Sequence, residues 1–309
     1  MKIKHSLSIE KGIIVILFLT GIFCIFQAVS ASEKIYMTGY LGMAEIFFSV
    51  SGLVIGFIKM VFSSAEISSR GVTFKLKNQH SYFLSAGKLV KANIRYNRRH
   101  VVYFLKEDGG YVDLISFLSR KRSMRYLEAM NWSPDRNTES SSENHFSEDA
   151  LFKTSEDGSS LFYWRDRFSF LNNMSWSGLF SGIILLTGGV FAGNSQTGLQ
   201  FLVIAALVPW MIFIFSRIRR RNSNPALWFG SENFFYGKET SGNFVQIRGL
   251  ERKKIRFFRF NYDITTSVQN LEVICEDESA RISLPGLNLC DGLHLAEKLN
   301  EIILKEKTL

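Results

Sequence analysis

The chain has 309 residues, 28 of them Phe, and carries 37 Lys and Arg against 28 Asp and Glu, a net charge of +9. Its three cysteines, Cys24, Cys275 and Cys290, lie far apart without CxxC spacing, which excludes a disulfide framework and a Cys/His zinc site. There is no Walker A loop, GxGxxG, HExxH or GxSxG pattern, so the chain reads as a non-enzyme with no cofactor and no metal.

In chain order, a short basic segment (1–11, with Lys2, Lys4 and Lys11) leads into a first transmembrane hairpin at 12–62. Its apolar runs, 12–29 and 41–62, are each long enough to cross a hydrocarbon core of about 30 Å. Lys2 and Lys4, the first run and Val29-Ser30-Ala31 also resemble a cleavable secretory signal. A second hairpin, which nothing could cleave, favours retention. With the second run counted from residue 41, Glu45 falls near the outer interface, within reach of water. The alternative for it is an ion or proton relay. Lys59 is expected to snorkel to the headgroups. Gly52 and Gly56, with Ser49, form a small-residue face suited to helix packing.

Next comes a basic soluble segment, 63–131, and then 132–160, rich in Ser, Glu and Asp, which reads as a flexible acidic linker. Phe162, Tyr163, Trp164, Arg165 and Arg167 make 161–175 an interfacial aromatic segment or the aromatic belt of the next helix. The second hairpin, 176–216, has spans at 176–192 and 199–216. It carries the small pair Gly178 and Gly182, and Pro209 as a kink. A second soluble domain fills 217–309. Lys and Arg crowd the ends of both hairpins, whereas the loops between spans carry only Glu33 and Lys34. The positive-inside rule therefore puts both termini and both soluble domains in the cytoplasm, on a multi-pass inner-membrane protein.

The soluble domains look like two copies of one unit. In the first, 101–105, Lys106-Glu107-Asp108-Gly109-Gly110 and 111–114 read as strand, turn and strand. In the second, 271–274, Cys275-Glu276-Asp277-Glu278-Ser279 and 280–284 repeat that order at an offset of 169 or 170 residues. The helix 124–131 aligns with 293–300, with Glu and Asn recurring at the same places. In the second copy 227–236, 243–247, 254–261, 271–276 and 281–284 read as strands. Asp291 is expected to cap a helix running to about Leu304.

The fold class expected is thus α+β. Four transmembrane helices form two hairpins, each followed by a small strand-rich cytoplasmic domain with a C-terminal helix. This order resembles bacterial membrane proteins with pleckstrin-homology-like (PH/GRAM-like) domains, here duplicated. The resemblance implies a membrane-associated binding module and, in some members, bacteriocin resistance. It supplies no site residues.

Basic clusters beyond the spans carry the functional signal. Arg252, Lys253, Lys254, Arg256 and Arg259, with Arg120, Lys121 and Arg122, are the candidates for binding anionic lipid headgroups or a protein partner. Arg98-Arg99-His100 adds to them, and Arg219-Arg220-Arg221 is explained as a topological anchor. Homo-oligomerisation is open, and nucleic acid is not expected because no recognition motif accompanies the charge. The role that follows is surface binding, in envelope adaptation or in resistance or immunity to a toxin. The alternative is a small transporter or channel formed by the four-helix bundle.

Overall fold

The structure, a computed structural model, describes residues 2–4, 8–60, 64–76, 80–97, 99–132, 144–148, 150–155, 159–220, 223–240, 243–264, 268–276 and 279–307. Strand β1 (Lys2–Lys4) precedes helices α1 (Ser8–Ser30) and α2 (Lys34–Met60). Then come β2 (Ser64–Ser68), β3 (Gly71–Lys75), β4 (Ser81–Ser85), a 3-10 turn at Ala86–Lys88, β5 (Leu89–Asn97), β6 (Arg99–Lys106), β7 (Tyr111–Phe117) and α3 (Arg120–Met130). Strands β8 (Ala150–Thr154) and β9 (Ser160–Trp164) lead to α4 (Arg167–Ala192) and α5 (Gln196–Arg220). The chain closes with β10 (Ser223–Phe229), β11 (Asn233–Thr240), β12 (Asn243–Glu251), a 3-10 turn at Arg252–Lys254, β13 (Ile255–Asp263), β14 (Val268–Cys275), β15 (Ser279–Ser283) and α6 (Leu289–Lys307).

Two compact units result. One comprises 1–5, 60–166 and 223–309, and so draws on both soluble segments; the other comprises 6–59 and 167–222. The second holds α1, α2, α4 and α5, four helices long and apolar enough to cross a membrane. Their turns follow ordinary helix-end chemistry. Gly193 takes a left-handed φ of +57° after α4, and the Ser195 hydroxyl accepts the Gly198 N–H at 3.1 Å to cap α5.

The strand-bearing unit contains a repeat visible in its topology. Each copy has a three-stranded meander, a 3-10 turn, a second meander and a helix: β2–β7 with α3, then β10–β15 with α6. Local detail repeats as well. Ala86 N–H donates to Arg70 O and Arg252 N–H to Glu232 O, both at 2.8 Å. Glu107 N–H donates to Lys88 O and Glu276 N–H to Lys254 O, both at 3.0 Å. A bulge follows each 3-10 turn, between Leu89 and Lys91 and between Ile255 and Phe257.

The repeat begins before each hairpin. Strand β1 pairs antiparallel with β2, opposing Lys2 to Glu66, and β9 pairs antiparallel with β10, opposing Leu161 to Trp228. Each helical hairpin is therefore inserted between two neighbouring strands. Sequence patterning misses these flanking strands because the apolar helices beside them dominate it. Within 132–160 the structure places β8 and a buried Ser147, and 161–164 lies in β9, where Phe162 and Trp164 face the core. The remaining linker positions, 133–143, 149 and 156–158, lie outside the described residues.

Several predicted strand limits shift. The run 227–236 is two strands joined by a turn at 230–232, because the backbone reverses where Gly230 N–H donates to Asn233 O at 2.9 Å. Helix α6 is capped by Asn288, whose Oδ1 accepts Asp291 N–H at 2.8 Å; Asp291 lies inside the first turn. The Asp291 carboxylate accepts instead from Ser147 N–H at 2.7 Å and Ser147 Oγ–H at 2.5 Å.

The two copies meet in a six-stranded sheet, ordered β15-β14-β13-β7-β6-β5, where β7 and β13 run parallel. Asp113, with 0% exposure, accepts Arg95 Nε–H at 3.2 Å, Arg95 Nη2–H at 2.7 Å and Ile264 N–H at 3.0 Å. Burial raises the Asp113 carboxyl to about 6 even though Arg95 pulls it down. Arg259 Nε–H donates to Asp108 O at 2.6 Å across the same junction. Helix α6 is the central core element: it packs on β13, β14 and β4, and its residues 289–296 are all buried. Each fully buried Leu on it contributes about 2 kcal/mol.

Candidate functional site: a cationic helix face

Helix α3 differs from its counterpart α6. Its inner face follows helical spacing, with Ser123 and Met130 buried and Tyr126 and Leu127 half-buried. Tyr126 meets Phe117 in a tilted arrangement, at 5.3 Å between ring centroids. The outer face carries Arg120, Lys121, Arg122 and Arg125, all exposed. Among the described residues none of the four has an ion-pair partner. Beside them Leu118 is 85% exposed and Met124 41%.

Three cations in the first turn oppose the helix dipole, each costing about 0.3–1 kcal/mol at low ionic strength. Ser119 at the N-cap makes no compensating side-chain hydrogen bond. The end of this helix is thus a local excess of positive charge, open to an external anion, with a leucine projecting next to it.

The second basic cluster is largely used by the fold. Arg252 is only 9% exposed; its guanidinium donates to Gly230 O and lies 4.2 Å from the Phe229 ring centroid. Arg259 bonds Asp108 O and lies 3.6 Å from Glu272. Lys254 pairs with Glu251 at 3.3 Å and Arg256 with Glu276 at 3.9 Å, both in exposed positions. Lys253 is exposed. Sequence reading weighted this cluster most because charge density cannot distinguish a guanidinium folded onto a phenyl ring from one in water. Arg98 and Arg221 lie outside the described residues, as do the side chains of Lys59, Arg167, Arg219 and Arg220.

In the helical unit, the small residues line an antiparallel contact of α2 with α4. A Cβ on Gly182 would lie 2.7 Å from Gly42 O, one on Gly178 would meet Ser49 Oγ, and one on Gly52 would meet Ser175 Oγ. Gly56 is buried. Gly42, which sequence reading omits, is the direct partner of Gly182. Glu45 is not near a helix end. Helix α2 begins at Lys34, seven residues before the apolar run, and residue 45 is the midpoint of the span Lys34–Gly56. No family model matches this chain, nor does any curated protein sequence.

Proposed function

We propose that this chain is a non-enzymatic inner-membrane protein whose duplicated, pleckstrin-homology-like unit binds an anionic lipid surface through the outer face of α3. The observation that carries this reading is the cluster of Arg120, Lys121, Arg122 and Arg125, exposed and without ion pairs among the described residues, beside the projecting Leu118. Clustered cations attract an anionic leaflet, and an adjoining apolar side chain supplies the contact that inserts below the headgroups. Lys and Arg placement supports a cytoplasmic position for the unit. Because β1 pairs with β2 and β9 with β10, the chain leaves and re-enters the unit on one side of any membrane its hairpins cross.

The test uses the full chain in phosphatidylcholine nanodiscs, immobilised and exposed to vesicles of rising phosphatidylglycerol content. Capture should rise with anionic lipid. Changing Arg120, Lys121, Arg122 and Arg125 together to Ala removes four contributions of about 1 kcal/mol each. That corresponds to a loss of up to roughly a thousandfold in vesicle affinity. The double change Lys254→Ala, Arg256→Ala, which removes cations already paired, should have a much smaller effect. Equal capture by wild type and the α3 variant would overturn the reading.

A further inference from the structure

The second copy leaves open a surface that is filled in the first. In the first copy, α6 runs alongside β4 and onto the 3-10 turn after it. Asp291 lies 3.4 Å from His80, His294 faces the Tyr82 ring at 6.4 Å, and Glu297 pairs with Lys88. Tyr82 and Leu84 beneath the helix are each 1% exposed. A cleft of about 280 Å³ remains there, lined by Leu84, Lys88 and Lys106 with Leu293, Ala296 and Leu304 of α6.

The hydrogen bonds that repeat between the copies fix the counterparts. Lys88 O accepts Glu107 N–H as Lys254 O accepts Glu276 N–H, so Lys254 stands for Lys88 and Cys275 for Lys106. Leu84 opposes Val72 and Leu250 opposes Phe234, each just ahead of its 3-10 turn. Leu250 therefore stands for Leu84, and Arg248 for Tyr82. Leu250, Lys254 and Cys275 also line a cleft, of about 480 Å³, with Phe235, Gln246 and Gly249. Among the described residues its lining includes nothing from an α-helix. The strand beside it is open too. Val245 is 55% exposed, Ile247 57%, and Arg248 is exposed. Val245 opposes Lys238, on the side of the sheet that holds Phe234 and Leu250.

We infer that this second groove docks an amphipathic helix of another protein, in the place that α6 takes on the first copy. Its leucines, at helical spacing, cover Val245, Leu250 and the cleft. Its glutamates pair with Arg248 and Lys254, as Glu297 pairs with Lys88. The charge selects an acidic partner. Lys254 pairs in the free protein with the exposed Glu251 at 3.3 Å, an arrangement worth little in water. A second copy fits less well. Helix α3, the counterpart of α6, turns Arg120, Lys121, Arg122 and Arg125 outward and would bring like charge to Arg248 and Lys254. A bilayer fits less well in shape, because a flat surface would leave the cleft unfilled.

The probe is a fluorescent synthetic helix built on the register of α6. It carries leucine at the positions of Leu293, Ala296, Asn300 and Leu304, and glutamate at those of His294 and Glu297. Its anisotropy is followed against the full chain in phosphatidylcholine nanodiscs, with protein-free discs subtracted. Saturable binding is expected. Val245→Ser should weaken it by about tenfold, the loss of one buried valine. Arg248→Glu with Lys254→Glu should weaken it by about tenfold or more. A peptide with lysine in place of both glutamates should bind that variant and not the wild type. Changing Arg120, Lys121, Arg122 and Arg125 to Ala should leave peptide binding intact, so this inference and the lipid reading fail separately. No binding of the glutamate peptide, or equal binding by wild type and the two groove variants, would overturn the inference. A fall in phosphatidylglycerol vesicle capture on Val245→Ser would also overturn it and assign the face to lipid.

Discussion

Changing Arg95 to Ala is expected to speed amide hydrogen exchange in β7 and β13 by on the order of a few hundredfold, the largest effect of any single surface-reachable substitution in the strand-bearing unit. Arg95 contributes both hydrogen bonds that hold the Asp113 carboxylate from one side, and Asp113 is buried where the two copies join. Removing one partner of a buried pair leaves an uncompensated charge and costs about 3–5 kcal/mol. Exchange from the strands that carry the pair reports that loss locally.

The deficit should depend on pH in a defined direction. The Asp113 carboxyl sits at about 6 in the fold, against an ordinary value of about 3.9 for an unfolded chain. The fold thus favours the protonated form, and that contribution is complete below about pH 4 and lost as pH rises through 6. Without Arg95 the carboxyl rises further, so the exchange deficit should be smaller at pH 5 than at pH 8. A variant that exchanges like wild type at pH 8 would show that the Arg95–Asp113 pair does not hold the two copies together.

The second large effect is expected in the helical unit and comes from a single methyl group. A Cβ on Gly42 would lie 2.6 Å from Leu186 N and 2.7 Å from Gly182 O, both backbone atoms that cannot turn aside. Gly42→Ala must therefore push α2 from α4, at a cost of about 1–3 kcal/mol or more. Gly39, one turn earlier on the same helix, has nothing among the described residues within 4 Å of its Cβ position. Gly39→Ala should be neutral or stabilising, since Ala exceeds Gly in helix propensity by about 1 kcal/mol. Thermal unfolding of the two variants in the same detergent separates them. Matching midpoints would mean that the close approach of α2 and α4 is not what sets the stability of the bundle.

Much of this architecture is legible in the sequence, for physical reasons. Spans without charge announce themselves through hydropathy. The hairpin turns at Lys106–Gly110 and its counterpart show as acidic breaks between alternating strands, and the strands on either side fall where that pattern places them. What escapes is what depends on distant partners. Strands β1 and β9 are short and acquire meaning only by pairing across an inserted hairpin. Helix α6 reads as amphipathic, yet its first two turns are enclosed on all sides because β4 covers the face that a single copy would leave open.

The sites divide in the same way. Arg120, Lys121 and Arg122 are visible as a cluster, whereas the exposure of Leu118 beside them is not. Arg252 and Arg259 look equivalent to their neighbours until Gly230 and Asp108 supply carbonyl partners. Glu45 reads as interfacial only because hydropathy starts the span at residue 41. The helix starts earlier, at Lys34, so residue 45 is the midpoint of the candidate span Lys34–Gly56.

The outer face of α3 is proposed to lie against anionic lipid. The most direct measurement places an environment-sensitive fluorophore on Leu118→Cys, with Cys275→Ser to prevent a second label, in the full chain reconstituted into vesicles. With rising phosphatidylglycerol the emission should shift to the blue and become quenchable by brominated lipid. Both changes should disappear when Arg120, Lys121, Arg122 and Arg125 are Ala. A fluorophore that reports water at every anionic content would contradict the account and leave this helix face to a protein partner.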